Sequence, residues 1–271
     1  MNDAERWEDL ALVWSKQSPQ PLWRAYSDTV NGTFFRRGLG ARQVDRVLKT
    51  DLFDEIAGEG LTGRLAEHAR FVVGIDLSTS VTIAARERQP DLCVVRCDVR
   101  ALPFAAGVFP AILSNSTLDH FEDPGDIAAS VFELRRVLSG GGDLFLTLDN
   151  LANPVIALRN LLPYRLMHRL GLVSYYVGAT LGPGGLRRML TQADLQIVEM
   201  NAIMHWPRIV GIVIARVLRQ RLSVHAAARL VRAALAFEWL ARLPTRFMTG
   251  YFVAAHARKR EEAPITPSVP R

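Results

Sequence analysis

Three short stretches place reactive side chains directly after apolar runs. Asp76 stands in GIDLS, Asp98 in CDVRALPF, and Asn115, Asp119 and His120 in SNSTLDHF. A carboxylate in such a place can accept hydrogen bonds from both hydroxyls of a ribose. A second carboxylate, with the amide that follows it, can grip the edge of an adenine. His120 is of the right type for a general base, as is Asp119, although each fits a pocket wall or a loop contact equally well. Upstream, GEGLTG (Gly58 to Gly63) is a literal G-x-G-x-x-G. Alone it says little, since glycines at a strand-to-helix turn are often only turn chemistry. Cys93 and Cys97 alternate as buried thiols would and lack the His–Cys set of a zinc site. Two cysteines make no disulfide framework, which points to a reducing compartment.

The elements that position these residues follow from periodicity. From Val47 onward, short apolar runs alternate with helical stretches, as in βαβ units around a parallel sheet. Strands are expected at 47–56, 71–76, 92–98, 109–116 and 143–150, then around Leu195 to Ala202 and near Tyr251 to Ala255. In DIAASVFELRRVL, Ile127, Val131, Leu134 and Leu138 recur at helical spacing. Five strands followed by an antiparallel pair make an α/β doubly wound, Rossmann-like, mostly parallel sheet with a reversed C-terminal edge. The reactive residues then fall at carboxyl ends of strands, where such sheets bind ligands.

Residues 1–45 predict an N-terminal helical cap, 46–258 the main domain, and 259–271 a disordered tail. With 49% hydrophobic and 22% charged residues in 271, the chain can bury a full core, which excludes wholesale disorder. The start, MNDAERWEDLALVW, is too acidic for a secretory signal. The uncharged run Leu170 to Leu186 holds five glycines and a proline, a poor membrane span. A cytoplasmic protein is expected.

On these residues the chain resembles the class I S-adenosylmethionine-dependent methyltransferases that act on quinones, sterols and other small molecules. The acid-x-x-x-Leu-Pro-Phe run at 98–104 and the RVLSGGG turn at 136–142 are the most specific marks. The resemblance covers 47 to about 150 well and 183–256 more loosely. It implies S-adenosylmethionine as cofactor, with Asp76 and Leu77 at the ribose, Asp98 and Val99 at the adenine, Gly58 and Gly60 at the methionine portion, and Asn115 near the sulfonium. The family's acid–apolar–Gly–x–Gly–x–Gly motif corresponds here to DEIAGEG, 54–60, with Ile56 in place of the first glycine and Glu55 at an apolar position. Asp54 and Glu55 join the cofactor set, with Glu55 or Asp51 a candidate for the α-amino group. Pro110 stands where Asp is usual, and Gly140 where Pro is usual.

Other classes fit less well. A short-chain nicotinamide oxidoreductase would want Tyr-x-x-x-Lys, and none of the five tyrosines has a lysine four residues on. Amino-group nucleic-acid methylases carry Asn/Asp-Pro-Pro-aromatic where this chain has Ser-Asn-Ser-Thr, so no nucleic acid is expected. A degenerate fold kept as a binding module is the non-enzymatic alternative, motivated by the altered glycine turn. Net charge is +6, and between Trp206 and Arg246 lie eight arginines and one acid, Glu238. This basic segment reads as an insertion of about two helices before the last strand. Its IVGIVIARVLRQRL stretch sets Ile209, Val213 and Val217 on one face, with Arg216 and Arg219 on another. It is either a cover for the sheet or a lid over a small hydrophobic, lipid-like or anionic acceptor, with peripheral contact to an anionic membrane. His205, just before the insertion, is expected to be structural.

Overall fold

A computed structural model describes residues 5, 7, 8, 21–162, 169, 178–208 and 223–261. Its strands are β1 (Val44–Lys49), β2 (Ala69–Asp76), β3 (Cys93–Arg96), β4 (Phe109–Asn115), β5 (Leu138–Asp149), β6 (Leu195–Ile203) and β7 (Phe252–Lys259). They form one sheet in the order β3-β2-β1-β4-β5-β7-β6. The first five run parallel, and β7 lies antiparallel between β5 and β6. The order reverses between β1 and β4, which opens a crevice at their carboxyl ends.

The helices are α1 (Pro21–Leu39), α2 (Phe53–Ala57), α3 (Thr62–Ala66), α4 (Thr79–Arg88), α5 (Pro124–Val137), α6 (Pro154–Leu161), α7 (Pro183–Gln192), α8 (Val224–Ala236) and α9 (Arg246–Thr249). They bury the sheet from both sides, which is why its strands read as apolar runs rather than alternating ones. On one face Tyr26, Phe34, Phe35 and Leu39 of α1 pack with Leu61, Leu65 and Val81 over Val47, Leu113 and Phe145. On the other, Ile127, Val131 and Leu134 of α5 and Leu186 and Leu190 of α7 cover Leu48, Ile112, Leu144 and Leu146. Each such side chain contributes roughly 1.5–3 kcal/mol on burial, which fixes the strand ends relative to one another.

Among the element boundaries that differ from the sequence expectation, three have a clear physical cause. The first strand stops at Lys49 rather than continuing to Ile56. Asp51 Oδ1 accepts from the Phe53 amide at 2.6 Å, and this Asx turn starts α2, whose first turn carries Asp54 and Glu55. Leu138 leaves the helical series Ile127, Val131, Leu134: α5 ends at Val137, and Leu138 is extended and opens β5. Pairing of β4 with β5 then shifts register between Phe109 and Ala111, opposite the RVLSGGG turn. At the other end β7 runs to Lys259, where the sequence reading begins its tail. The buried Lys259 Nζ donates to the Leu138 carbonyl at 2.9 Å, which anchors the strand end.

Between β6 and β7 the basic segment contains α8, a 3-10 turn (Phe237–Arg242) and α9. Its one acid organises it: Glu238 accepts from the Met204 and His205 amides at 3.2 and 2.9 Å and from the Tyr26 hydroxyl of α1. His205 is buried, with Nδ1 2.8 Å from Thr249 Oγ1 and Nε2 3.1 Å from the Ala202 carbonyl. The stretch 209–222, with Ile209, Val213, Arg216, Val217 and Arg219, lies outside the described residues. Among the described residues no helix is long and apolar enough to cross a membrane.

Candidate active site

One large cavity opens at the carboxyl ends of β1, β2, β3 and β4, about 1530 Å³ counted out to its mouth.

At the corner after β2, Asp76 lines the cavity with its carboxylate fixed from behind. Oδ1 accepts from the Ser78 amide at 2.8 Å and Oδ2 from the Leu52 amide at 3.1 Å. A carboxylate offers about four lone-pair sites, so these amides leave acceptor capacity for a ligand. Burial raises its pKa against the pull of those amides. Leu77 and Ser78 continue the wall, and Ser78 Oγ caps α4 by accepting from the Val81 amide. After β3, Asp98 and Val99 line the cavity as well. Asp98 is held by Arg100 through Nε at 3.0 Å and the second guanidinium nitrogen at 2.6 Å. Burial works the other way, but these bonds from Arg100 win and lower its pKa.

After β4, Asn115 is buried and its Oδ1 has no hydrogen-bond partner, although it lies in the cavity wall. Such an oxygen costs about 1–3 kcal/mol unless a ligand or water donates to it. His120 also lines the cavity, with Nε2 3.8 Å from Asp119 Oδ1. Asp119 itself stands behind the wall, fully buried. It accepts from the Asp149 amide at 2.8 Å and from Ser116 Oγ, and burial together with Asp149 pushes its pKa up to about 6, against His120. It serves the loop, while His120 faces the space.

The corner after β1 departs most from a glycine turn. Glu55, on α2, is fully buried; its Oε2 pairs with the equally buried Lys49 Nζ at 2.9 Å, and its Oε1 accepts from the Leu61 amide at 2.9 Å. Lys49 also donates to the Asp51 carbonyl. Gly60, at φ +68°, lies directly on Glu55, and Gly58 ends α2. Glu55, Gly58 and Gly60 are therefore not in the cavity wall; Asp51, Phe53 and Asp54 are. Burial, opposed by Lys49 and reinforced by Asp76 and Asp54, pushes Asp51 up to about 6.

Several wall residues carry no strand-end signal in the sequence. Helix α1 contributes Trp23, Arg24, Ser27 and Asn31, and the segment after β6 contributes Arg208. Arg24 pairs with Asp54 at 2.6 Å and lies over the Phe53 ring. The guanidinium of Arg208 lies 5.4 Å from the Trp23 ring centre and 5.7 Å from that of Tyr251, whose hydroxyl it reaches at 3.1 Å. Asn31 is buried with Oδ1 lacking a partner, like Asn115. The available signal was the spacing of Trp23, Ser27 and Asn31, four residues apart on one helix edge.

Residues 57–146 match the methyltransferase domain family. Over 107 residues the chain is 36% identical to the demethylmenaquinone methyltransferase of Beutenbergia cavernae, covering 39% of this chain and 41% of that protein. The chain thus matches about two fifths of the length of that curated relative. Among solved structures it is similar to phosphoethanolamine N-methyltransferase 2 of Haemonchus contortus, at TM-score 0.56 and 17% identity over 86% of this chain and 52% of that one. An S-adenosylmethionine-dependent methyltransferase of Mesorhizobium loti matches at TM-score 0.53 and 19% identity, over 83% and 96%. The [4+2]-cyclase SpnF matches at TM-score 0.55 and 15% identity, over 85% and 82%. Strand order and the crevice at the switch point are those of a doubly wound, Rossmann-like fold, and residues 57–146 within it match a methyltransferase domain.

Proposed function

We propose that the protein transfers a methyl group from S-adenosylmethionine to a small, largely apolar acceptor. The observation that carries this reading is the strand-end cavity, where Asp51, Asp54, Asp76 and Asp98 meet the partnerless oxygens of Asn31 and Asn115. An acid-rich wall with two buried acceptors lacking donors suits a ligand that is cationic and rich in hydroxyl and amino groups. S-adenosylmethionine fits that description, and bound there it supplies an activated methyl electrophile.

The chain's own residues then have separable tasks. Asp76 accepts from the ribose hydroxyls, and Asp98 with the Val99 amide meets the adenine edge. The methionine end falls to Asp51 and Asp54, which offer charge toward an ammonium group at the corner where Ile56 stands in place of the family's first glycine. The remaining wall, made by Trp23, Ser27, Asn31, Arg208 and Phe252, receives the acceptor. Positioning and exclusion of water do most of the catalytic work, and His120 takes the proton where the acceptor is a hydroxyl.

Calorimetry with S-adenosylmethionine and S-adenosylhomocysteine tests this directly. Asp76→Ala should weaken binding about ten- to a hundredfold, the loss of a charge-assisted hydrogen bond of roughly 1.5–3 kcal/mol. His120→Ala should keep cofactor affinity and lower turnover on a hydroxyl acceptor about a hundredfold. Unchanged affinity in a folded Asp76→Ala protein defeats the assignment. The rebuilt corner after β1 favours one competing reading, a binding module without catalysis; it predicts no heat with either ligand.

We further propose a lipid-like or anionic acceptor and reversible contact with anionic membranes. The supports are Arg208 between two aromatic rings at the cavity wall, and the concentration of arginine between Trp206 and Arg246. Each arginine near an anionic surface contributes about 1 kcal/mol, screened by salt. Co-sedimentation with anionic vesicles should therefore exceed that with neutral ones and fall at high salt. Equal partitioning onto both, or none, removes the membrane from the proposal.

A further inference from the structure

The methionine end assigned to the corner after β1 carries two opposite charges on one carbon, an ammonium and a carboxylate. Asp51 and Asp54 answer only the first of them. A carboxylate brought beside two acids is repelled, so the corner needs a cation that faces the cavity. Lys49 does not supply it, because its Nζ is fully buried behind the wall on Glu55 Oε2. Arg24 does. It lines the cavity from the edge of α1, with its side chain 10% exposed.

Neighbours at this same corner fix the Arg24 side chain. Its guanidinium pairs with Asp54 Oδ1 at 2.6 Å, and the guanidinium carbon stands 5.0 Å from the centre of the Phe53 ring. The stem runs past Gly58, where Cδ lies 3.6 Å from the place a Cβ would take. Gly58 is one of the glycines that the resemblance sets at the methionine portion, so Arg24 stands where that portion is expected. A guanidinium has five N–H donors in a rigid fork that suits a carboxylate, more than the bond to Asp54 requires. Arg24 and Asp54 thus present a cation and an anion side by side, the complement of an α-amino acid. We infer that Arg24 binds the carboxylate of the cofactor's methionine end while Asp54 takes the ammonium, so the pair selects ligands with an intact amino-acid group. This rests on the cofactor reading and adds a selectivity to it. A pair that only ties α1 to α2 would give no such selectivity.

Three nucleosides, with the full chain, provide the test by calorimetry. S-adenosylhomocysteine carries both charges, its decarboxylated analogue keeps the ammonium alone, and 5′-methylthioadenosine has neither. The wild-type protein should bind S-adenosylhomocysteine about ten- to a hundredfold more tightly than the decarboxylated analogue, the worth of a charge-assisted hydrogen bond. Arg24→Met should remove that preference and bring the two within about threefold, by weakening S-adenosylhomocysteine alone. Arg24→Lys, which keeps the charge and loses the fork, should retain part of it. Asp54→Asn should weaken both ammonium-bearing ligands about tenfold. Wild type and variants should all bind 5′-methylthioadenosine alike.

Equal wild-type affinity for S-adenosylhomocysteine and its decarboxylated analogue overturns the inference, even where the Arg24 variants fail to fold, and leaves the cofactor reading standing. A folded Arg24→Met protein that keeps the preference overturns it too, since the carboxylate is then held elsewhere. Losses of one size for all three ligands make the pair a structural tie and nothing more. A wild-type chain that binds none of the three defeats the cofactor reading, and this inference falls with it.

Discussion

The corners after β1 and after β2 both carry acids, yet the acids are put to opposite use. Asp76 is held from behind by two backbone amides, lines the cavity and keeps acceptor capacity for a ligand. Glu55 spends both oxygens inside the protein, one on Lys49 and one on the Leu61 amide, and reaches no cavity. Where a carboxylate's lone pairs point decides whether it binds a ligand or builds a loop. The Lys49–Glu55 pair does the work a glycine-rich turn would do by backbone freedom: it folds the chain tightly after β1. The pair lets Asp51 and Asp54 occupy the space above it.

The sharpest way to break this comparison is to remove one partner of the buried pair. Glu55→Ala leaves the Lys49 cation buried without its counter-charge and the Leu61 amide without its acceptor. The cost should be about 3–5 kcal/mol of stability. Lys49→Met with Glu55→Gln should recover more than half of that, because glutamine still accepts from the Leu61 amide and no charge is left buried. Denaturant melts of the three proteins check this. Asp76→Ala should do the reverse and lose ligand affinity with little change in stability. A Glu55→Ala protein that melts normally but fails to bind would put Glu55 in the site after all.

A gentler probe of the same corner is Asp28 on α1, which is 3% exposed. Burial, then the nearby Asp54 and Glu55, push its pKa up to about 7, while Lys49 and Arg64 pull the other way. A raised carboxyl pKa means that the folded state holds the proton more tightly than the unfolded chain does. The stability this gives is fully present below about pH 4 and is lost as pH rises through about 7. Asp28→Asn should therefore match wild type near pH 4 and exceed it at pH 8 by roughly 1–3 kcal/mol. Thermal melts at the two pH values decide. Equal stability at pH 8 would show that Asp28 ionises at no cost and that the acids of this corner do not repel one another.

What could be read in advance follows the same division. Asp76, Asp98, Asn115 and His120 were legible because each ends or follows an apolar run, and strand ends in a doubly wound sheet converge. Glu55, Gly58 and Gly60 stand beside them only through the resemblance, whose glycine motif falls on DEIAGEG. The helix α2, which holds Glu55 and separates Gly58 and Gly60 from β1, depends on the Asx turn at Asp51, a short-range signal hidden under a run that looked like strand. A lysine at the end of that apolar run, in a chain with only three lysines, was the visible hint of a buried partner. Trp23, Asn31 and Arg208 reach the cavity through tertiary packing. Their local sequence marks a helix edge and a basic segment, and only the sheet brings the two together.

The smallest expected effects separate the two glycines of GEGLTG. Gly60 has φ +68°, and a methyl group there would lie 2.7 Å from Glu55 Oε1 and 2.9 Å from the Glu55 Cα. Gly60→Ala thus combines left-handed strain of about 1 kcal/mol with a clash against the buried pair, and should destabilise measurably. Gly58 has φ −150°, and a methyl group there would meet its nearest neighbours, Arg24 Cδ and the Asp54 carbonyl, at 3.6 Å, an ordinary contact. Gly58→Ala should change stability by no more than about 0.5 kcal/mol. S-adenosylhomocysteine affinity should stay within about twofold, since a change of roughly 0.4 kcal/mol is all that such a factor represents. A glycine chosen so that a ligand can approach the backbone closely would behave differently, losing affinity while keeping stability. Affinity that falls tenfold in a normally stable Gly58→Ala protein would return this glycine to the site and make the two corners more alike than the structure has them.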